Sequence, residues 1–227
     1  ASLGGIAIVG NTANVATQGS WQYSSNGGGN WFAIGTVADG ANALALSSTT
    51  LVRFMPAADY SGTPPSLVVR GLDNTYAGGF SSTAGSETRI TVNTAINGGT
   101  TAIAAATASL STSITPVNDA PTATSLSAAE TYSEDTPLNL VDIVISDVDS
   151  ANVTATLTLS DVAAGSLNTA TSGAVTSTYN AGTGVWTGSG ALADVNALLA
   201  GLTFTPAANY NSAFTIATSV SDGVAAP

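Results

Sequence analysis

The sequence predicts an all-β chain: tandem antiparallel β-sandwiches with Greek-key connections. Three observations predict this class: apolar residues alternate with a period of two, turn dipeptides separate the short runs, and one module occurs twice. Composition agrees. The 227 residues include 24 Gly and 8 Pro, Ser and Thr are plentiful, and much of the 44% apolar content is Ala. Such a chain favours strands and turns over helices and builds its core from small side chains.

The alternation is clearest where Val153, Ala155, Leu157 and Leu159 interleave with Thr154, Thr156 and Thr158. Ile90 with Val92, Leu110 with Ile114, and Phe214, Ile216 and Val220 carry weaker versions. Between these runs stand Asn26-Gly27, Asp39-Gly40, Asn97-Gly98 and Asp222-Gly223, the dipeptides of tight turns. A short helical turn is expected at Asp194-Val195-Asn196-Ala197-Leu198-Leu199, with Asp194 as its cap and Asp39 in the matching role.

The repeat lies in three blocks that recur in the same order. Phe54-Met55-Pro56-Ala57-Ala58-Asp59-Tyr60 parallels Phe204-Thr205-Pro206-Ala207-Ala208-Asn209-Tyr210, at a spacing of 150 residues. Ala38-Asp39-Gly40-Ala41-Asn42-Ala43-Leu44 precedes the first and Ala193-Asp194-Val195-Asn196-Ala197-Leu198 the second. Val68-Val69-Arg70-Gly71-Leu72-Asp73 and Thr218-Ser219-Val220-Ser221-Asp222 follow them. A stiff link, Pro116-Val117-Asn118-Asp119-Ala120-Pro121, divides the chain into domains 1–118 and 119–227. Measured against the repeat, the first domain lacks about 30 residues at its start and the second lacks a last strand. Either the chain is cut out of phase with its repeats, or open edges are native and copies polymerise into a fibre by strand exchange.

Charge excludes several functions. Fourteen carboxylates face three cations, Arg53, Arg70 and Arg89, for a net charge of −11 with no Lys, His or Cys. Nucleic acid is excluded as a partner because phosphate binding needs a basic face, and no apolar run is long enough for direct membrane insertion. Without His or Cys there is no triad of the usual kind, no thiolate metal site and no zinc centre, so the chain is not expected to be an enzyme. The acids crowd into the second half: residues 119–227 hold ten carboxylates and no cation. Such a segment repels itself unless a cation sits among the acids. Simple solvation of acidic loop tips is the alternative.

The acids are ordered along the chain: Asp119 in the link, Glu134 with Asp135, Asp147-Val148-Asp149, and Asp222. An Asp-x-Asp beside an Asn-Asp supplies only oxygen donors, the set that Ca²⁺ takes 6–8 at a time. Taken with Val117-Asn118-Asp119-Ala120-Pro121, Ser133-Glu134-Asp135-Thr136-Pro137 and Val220-Ser221-Asp222-Gly223, the chain resembles the cadherin-like repeats of giant bacterial extracellular surface proteins, including adhesins. The resemblance implies a cadherin-like or Ig-like Greek-key sandwich with calcium at the junction between successive modules. Carried over residue by residue, it implicates Asn118, Asp119, Glu134, Asp147, Asp149 and Asp222, with Asp73 as the first domain's counterpart of Asp222.

It also implies a calcium-rigidified structural or adhesive extender at the bacterial cell surface or secreted from it. Partners would be neighbouring repeats, copies of the chain itself, or cell-surface proteins and glycans. The alternative is a glycan-binding module that uses Trp21, Trp31 and Trp186 as an aromatic platform. For Trp21-Gln22-Tyr23 and Asn26-Gly27-Gly28-Gly29-Asn30-Trp31, a hairpin with core or edge aromatics is the simpler reading.

Overall fold

The computed structural model describes residues 1–224, so the last three positions of the predicted second domain lie outside the described residues. The chain forms two compact units, Ala1–Pro116 and a second that begins at Val117, which places Asn118 and Asp119 in the second. Each unit is mostly β, and all of its strand pairings are antiparallel.

In the first unit β1 (Leu3–Gly10), β2 (Gly19–Ser24), β3 (Phe32–Ala33), β4 (Ala43–Ser47), β5 (Leu51–Pro56), β6 (Leu67–Asp73), β7 (Thr91–Val92) and β8 (Ile103–Leu110) form two sheets. Their orders are β7-β4-β1-β6-β8 and β3-β2-β5. The expected hairpin is present, with Tyr23 opposite Phe32 across β2 and β3. One apolar cluster draws on both sheets: Ile8, Leu44, Leu46, Leu67 and Val69 from the five-stranded sheet, Trp21 and Tyr23 from β2.

The alternation rule fails at β4, where Ala43, Leu44, Ala45 and Leu46 are all buried. The reason is two-sided burial. Leu44 and Leu46 face the shared core, whereas Ala43 and Ala45 join a second cluster with Ala7, Val9, Leu72, Val92 and Ile103. Tyr76, Phe80 and Ile90, from the long connection between β6 and β8, pack on this outer cluster. That connection is tied down by the Ala45 amide, which donates to the Ile90 carbonyl, and by the Ser81 amide, which donates to the Ala45 carbonyl. Below it, the Tyr23 hydroxyl donates to Glu87 at 2.7 Å. Burial, reinforced by that carboxylate, pushes the Tyr23 hydroxyl well above its ordinary range.

The second unit contains β9 (Thr122–Ala123), β10 (Leu138–Asn139), β11 (Ile145–Ser146), β12 (Asn152–Leu159), a 3₁₀ turn (Val162–Ala164), β13 (Gly165–Leu167), β14 (Thr171–Ser172), β15 (Val175–Thr176), β16 (Thr178–Asn180), β17 (Val185–Ala191), α1 (Leu192–Ala200), β18 (Thr203–Pro206) and β19 (Ile216–Ser221). Its larger sheets run β16-β17-β12-β19 and β10-β18-β13, with the short pairs β11-β9 and β14-β15 beside them. Along β12 the sequence alternation is real: Val153, Ala155, Leu157 and Leu159 are buried and the Thr residues between them are not. They share one core with Trp186 of β17, Leu167 of β13, Phe204 of β18, and Val195, Leu198 and Leu199 of α1.

Two of the three repeated blocks survive as geometry; the block around Asp39 and Asp194 does not, since Ala43-Leu44 lies in β4 and Ala197-Leu198 in α1. The ladder of β1 with β4 and β6 matches that of β12 with β17 and β19, and β2 with β5 matches β13 with β18. Asp59 and Asn209, at matching positions, both adopt φ near +58° (59° and 57°). In each case the following Tyr amide donates to the carbonyl three residues back, Tyr60 to Ala57 and Tyr210 to Ala207. Asp and Asn tolerate this left-handed turn better than other non-Gly residues.

Two helix-capping expectations need correction. Asp194 lies inside the first turn of α1, whose N-cap is Ala191, because the helix starts at Leu192. A carboxylate there still favours the helix dipole. Asp39 begins no helical turn. Arg70 grips it through two nitrogens, Nε at 3.0 Å and Nη2 at 2.6 Å, and the Thr94 hydroxyl donates to the same carboxylate. Arg53 donates to the Gln22 side chain and lies over the Trp31 ring at 4.1 Å.

The Arg70 hydrogen bonds, followed by that of Thr94, lower the Asp39 carboxyl to about 2. A carboxyl depressed on folding adds stability above its unfolded pKa near ~4, and that stability is lost as pH falls from about 4 through 2. Because the Asp39 side chain is 46% exposed, screening limits the loss to about 1 kcal/mol. Asp39→Asn is expected to flatten that part of the stability–pH curve for the first unit. Urea midpoints between pH 5 and pH 2 measure it; an unchanged curve would remove the pair from the acid response.

Candidate metal centre

Two strand pairings bring four acidic residues of the second unit toward one end. β9 against β11 sets Thr122 opposite Ser146, which carries the preceding Asn118 and Asp119 toward Asp147 and Asp149. β12 against β19 sets Thr154 opposite Ser221, which delivers Asp222 to the same end. Hydrogen bonds show the result. The Asp119 amide donates to Asp149 Oδ2 at 3.0 Å, and Asn118 Nδ2 donates to Asp222 Oδ2 at 2.6 Å. The Ser150 hydroxyl reaches the same Asp222 oxygen at 3.4 Å.

Asp147 organises the turn that carries Asp149 and Ser150. Its Oδ1 accepts the amides of Asp149 at 3.0 Å and Ser150 at 2.7 Å, an Asx turn that makes the backbone irregular between the two Asp residues. Its Oδ2 is buried and has no hydrogen-bond partner. The Ser150 amide holds the Asp147 carboxyl below the usual carboxylate range, while burial and the charge of Asp222 act in the opposite direction. Buried polar atoms are almost always satisfied, so an orphaned carboxylate oxygen is the unusual feature of the unit.

Asn196 was not foreseen as a member of the site. From α1 its amide clamps Ile145 both ways, Oδ1 accepting the Ile145 amide at 2.8 Å and Nδ2 donating to the Ile145 carbonyl at 2.9 Å. This clamp sits two residues before Asp147 and fixes where β11 ends. Its only sequence signal was the repeated block around Asp194, which reads as helix rather than as a brace for a distant strand.

Two further residues, Glu134 and Asp73, are expected ligands. Glu134 is exposed in the 133–136 turn, where its carbonyl accepts the Thr136 hydroxyl. Its neighbour Asp135 has φ 58° and accepts the Asn209 amide at 3.0 Å, tying this turn to the repeated Ala-Ala-Asn-Tyr motif. Asp73, in the first unit, accepts the hydroxyl and amide of Thr75, which lower its carboxyl. Among the described residues, no three or more carboxylates are arranged as they would be around an ion.

The donor set nonetheless fits a hard cation. All five side chains offer oxygen, and Asp147 Oδ2 is an anionic oxygen already withdrawn from water without a donor. The aromatic residues offer less to a sugar: Trp21 is 4% exposed and Trp186 fully buried, and Arg53 covers Trp31. No known protein family, curated protein or solved structure matches this chain.

Proposed function

We propose that this chain is a calcium-rigidified extender of a large secreted or surface-attached bacterial protein, built from two cadherin-like Greek-key sandwiches, and that it is not an enzyme. The observation that carries the reading is the buried, unpartnered Oδ2 of Asp147, in the same unit as the Asn118–Asp222 and Asp119–Asp149 contacts. The sandwich reading rests on an apolar cluster shared by two sheets in each unit.

Asp119, Asp147, Asp149 and Asp222 would hold the ion with carboxylates, and Asn118 with its amide oxygen. Calcium supplies the positive charge that a segment with ten acids and no cation lacks. The chain's own part is to hold these residues in place. The Asn196 clamp and the β9–β11 pairing bring the link to the Asp-x-Asp turn, and the β12–β19 ladder presents Asp222. With their repulsion cancelled, the link from residue 117 onward loses its freedom and the module stiffens. No observation favours the glycan-binding alternative.

Calcium at 100 times its dissociation constant would stabilise the second unit by about 2.7 kcal/mol. Thermal unfolding in millimolar Ca²⁺ and then in EGTA tests this on wild type and on Asp147→Ala/Asp149→Ala. A higher melting temperature in calcium, absent from the double variant, is the expected result. An identical melt in both buffers would sink the calcium reading.

A further inference from the structure

Two Asn-Gly pairs stand in turns of the first unit, Asn26-Gly27 between β2 and β3 and Asn97-Gly98 between β7 and β8. Such a pair can modify itself. The glycine nitrogen attacks the carbonyl carbon of the asparagine side chain, since glycine has no Cβ to shield that nitrogen. Backbone conformation at the glycine does not separate the two pairs, because φ is 72° at Gly27 and 75° at Gly98. Hydrogen bonding does.

At Asn97 both reacting nitrogens are tied down. The Gly98 amide donates to the Ile103 carbonyl at 2.8 Å, and Asn97 Nδ2 donates to the Thr94 carbonyl at 2.9 Å. Among the described residues, no group donates to Asn97 Oδ1.

At Asn26 each of these relations is reversed. Neither the Gly27 amide nor Asn26 Nδ2 has a hydrogen-bond partner among the described residues. Asn26 Oδ1 instead accepts the Ser24 hydroxyl at 2.8 Å, the Asn30 amide at 3.0 Å and the Thr83 hydroxyl at 3.3 Å. A backbone amide can only donate, so Asn30 fixes which side-chain atom is the oxygen. Ser24 and Thr83 are fully buried, and the Ser24 oxygen accepts the Gly28 amide at 2.9 Å, which orients its hydroxyl. Asn26 and Gly27 themselves are exposed to water.

We propose that Asn26 is a self-deamidation site, activated by these three donors, and that Asn97 is protected. As the Gly27 nitrogen loses its proton to water and bonds to Asn26 Cγ, negative charge develops on Oδ1, where the donors already stand. The Cγ–Nδ2 bond then breaks, Nδ2 leaves as ammonia, and a succinimide ring closes. Water opens that ring at either carbonyl, leaving aspartate or isoaspartate, with nothing oxidised or reduced. Each event adds one negative charge to a chain of net charge −11, and isoaspartate also lengthens the backbone between β2 and β3. Long-lived copies accumulate the mark. The reaction uses none of the acidic residues, and its success or failure leaves the calcium reading untouched.

Incubating the whole chain at neutral pH, with and without urea, tests the proposal by peptide mass spectrometry that resolves aspartate from isoaspartate. In the folded chain Asn26 is expected to convert about tenfold faster than Asn97, a modest part of what an oriented oxyanion donor supplies. In urea the two should convert at similar rates, since each is an Asn followed by Gly. Ser24→Ala should slow Asn26 by about tenfold and leave Asn97 unchanged. Gly27→Ala, whose Cβ meets open space, should nearly abolish conversion at Asn26 and keeps the test valid if Ser24→Ala fails to fold. Equal conversion of Asn26 and Asn97 in the folded chain would overturn the proposal. So would an Asn26 rate that a folded Ser24→Ala or Gly27→Ala leaves unchanged.

Discussion

Replacing Trp186 by Ala is expected to destabilise the second unit by about 3–5 kcal/mol, the range for truncating a large buried aromatic. Trp186 is fully buried in β17, opposite Leu157 of β12 and Tyr179 of β16, in the core that joins both sheets and α1. Its ring nitrogen donates to the Asn168 carbonyl at 3.0 Å, so the side chain also fixes the loop after β13. Trp186→Phe keeps much of the volume and strands only that carbonyl, and should cost about 1–3 kcal/mol. Urea unfolding followed by circular dichroism measures both. Fluorescence would not serve, because Trp186 is the second unit's single tryptophan. A loss below about 1 kcal/mol for Trp186→Ala would mean that the two sheets do not share this core.

Gly165→Ala is expected to cost about 3 kcal/mol, the upper end for forced backbone strain. Gly165 opens β13 at φ 154°, opposite Pro206, and a Cβ there would collide with the Thr205 carbonyl oxygen and approach Cα of Pro206. Neither obstacle is a flexible side chain, so backbone must move. Gly19 stands in the same relation to Pro56 in the first unit, with φ 121° and the Met55 carbonyl in the way. Gly19→Ala should therefore cause a comparable loss in the first unit. Gly27, at φ 72° but with open space around its Cβ position, provides the contrast; Gly27→Ala should cost about 1 kcal/mol. Equal losses at all three sites would show that dihedral preference alone matters and that the close approach of the two strands does not.

This pair of glycines also marks a limit of sequence reading. The repeat was legible from Pro56 to Tyr60 and from Pro206 to Tyr210, where five positions carry a local turn and its hydrogen bond. Gly19 and Gly165 belong to the same repeat, but they lie 37 and 41 residues before their proline partners. Their requirement for glycine comes from a strand that passes over them, which no local pattern encodes.

The alternation in β12 was legible because one face of that strand packs and the other is solvated, so side chains sort with the pleat. β4 hid its nature because the connection from β6 to β8 covers its second face. In the acidic region, the order of the motifs was written in the chain, since each is a short turn or link whose residues interact with near neighbours. The meeting of Asn118 with Asp222, 104 residues away, and the Asn196 clamp on Ile145 were not. Nor was the isolation of Asp147 Oδ2. Sequence by itself determined the β class, the duplicated module and which carboxylates stand in which motif, because propensity, pleat periodicity and turn chemistry act over a few residues. Tertiary structure alone decided which acids meet and which faces are covered twice, because those depend on strand register between segments far apart in the chain.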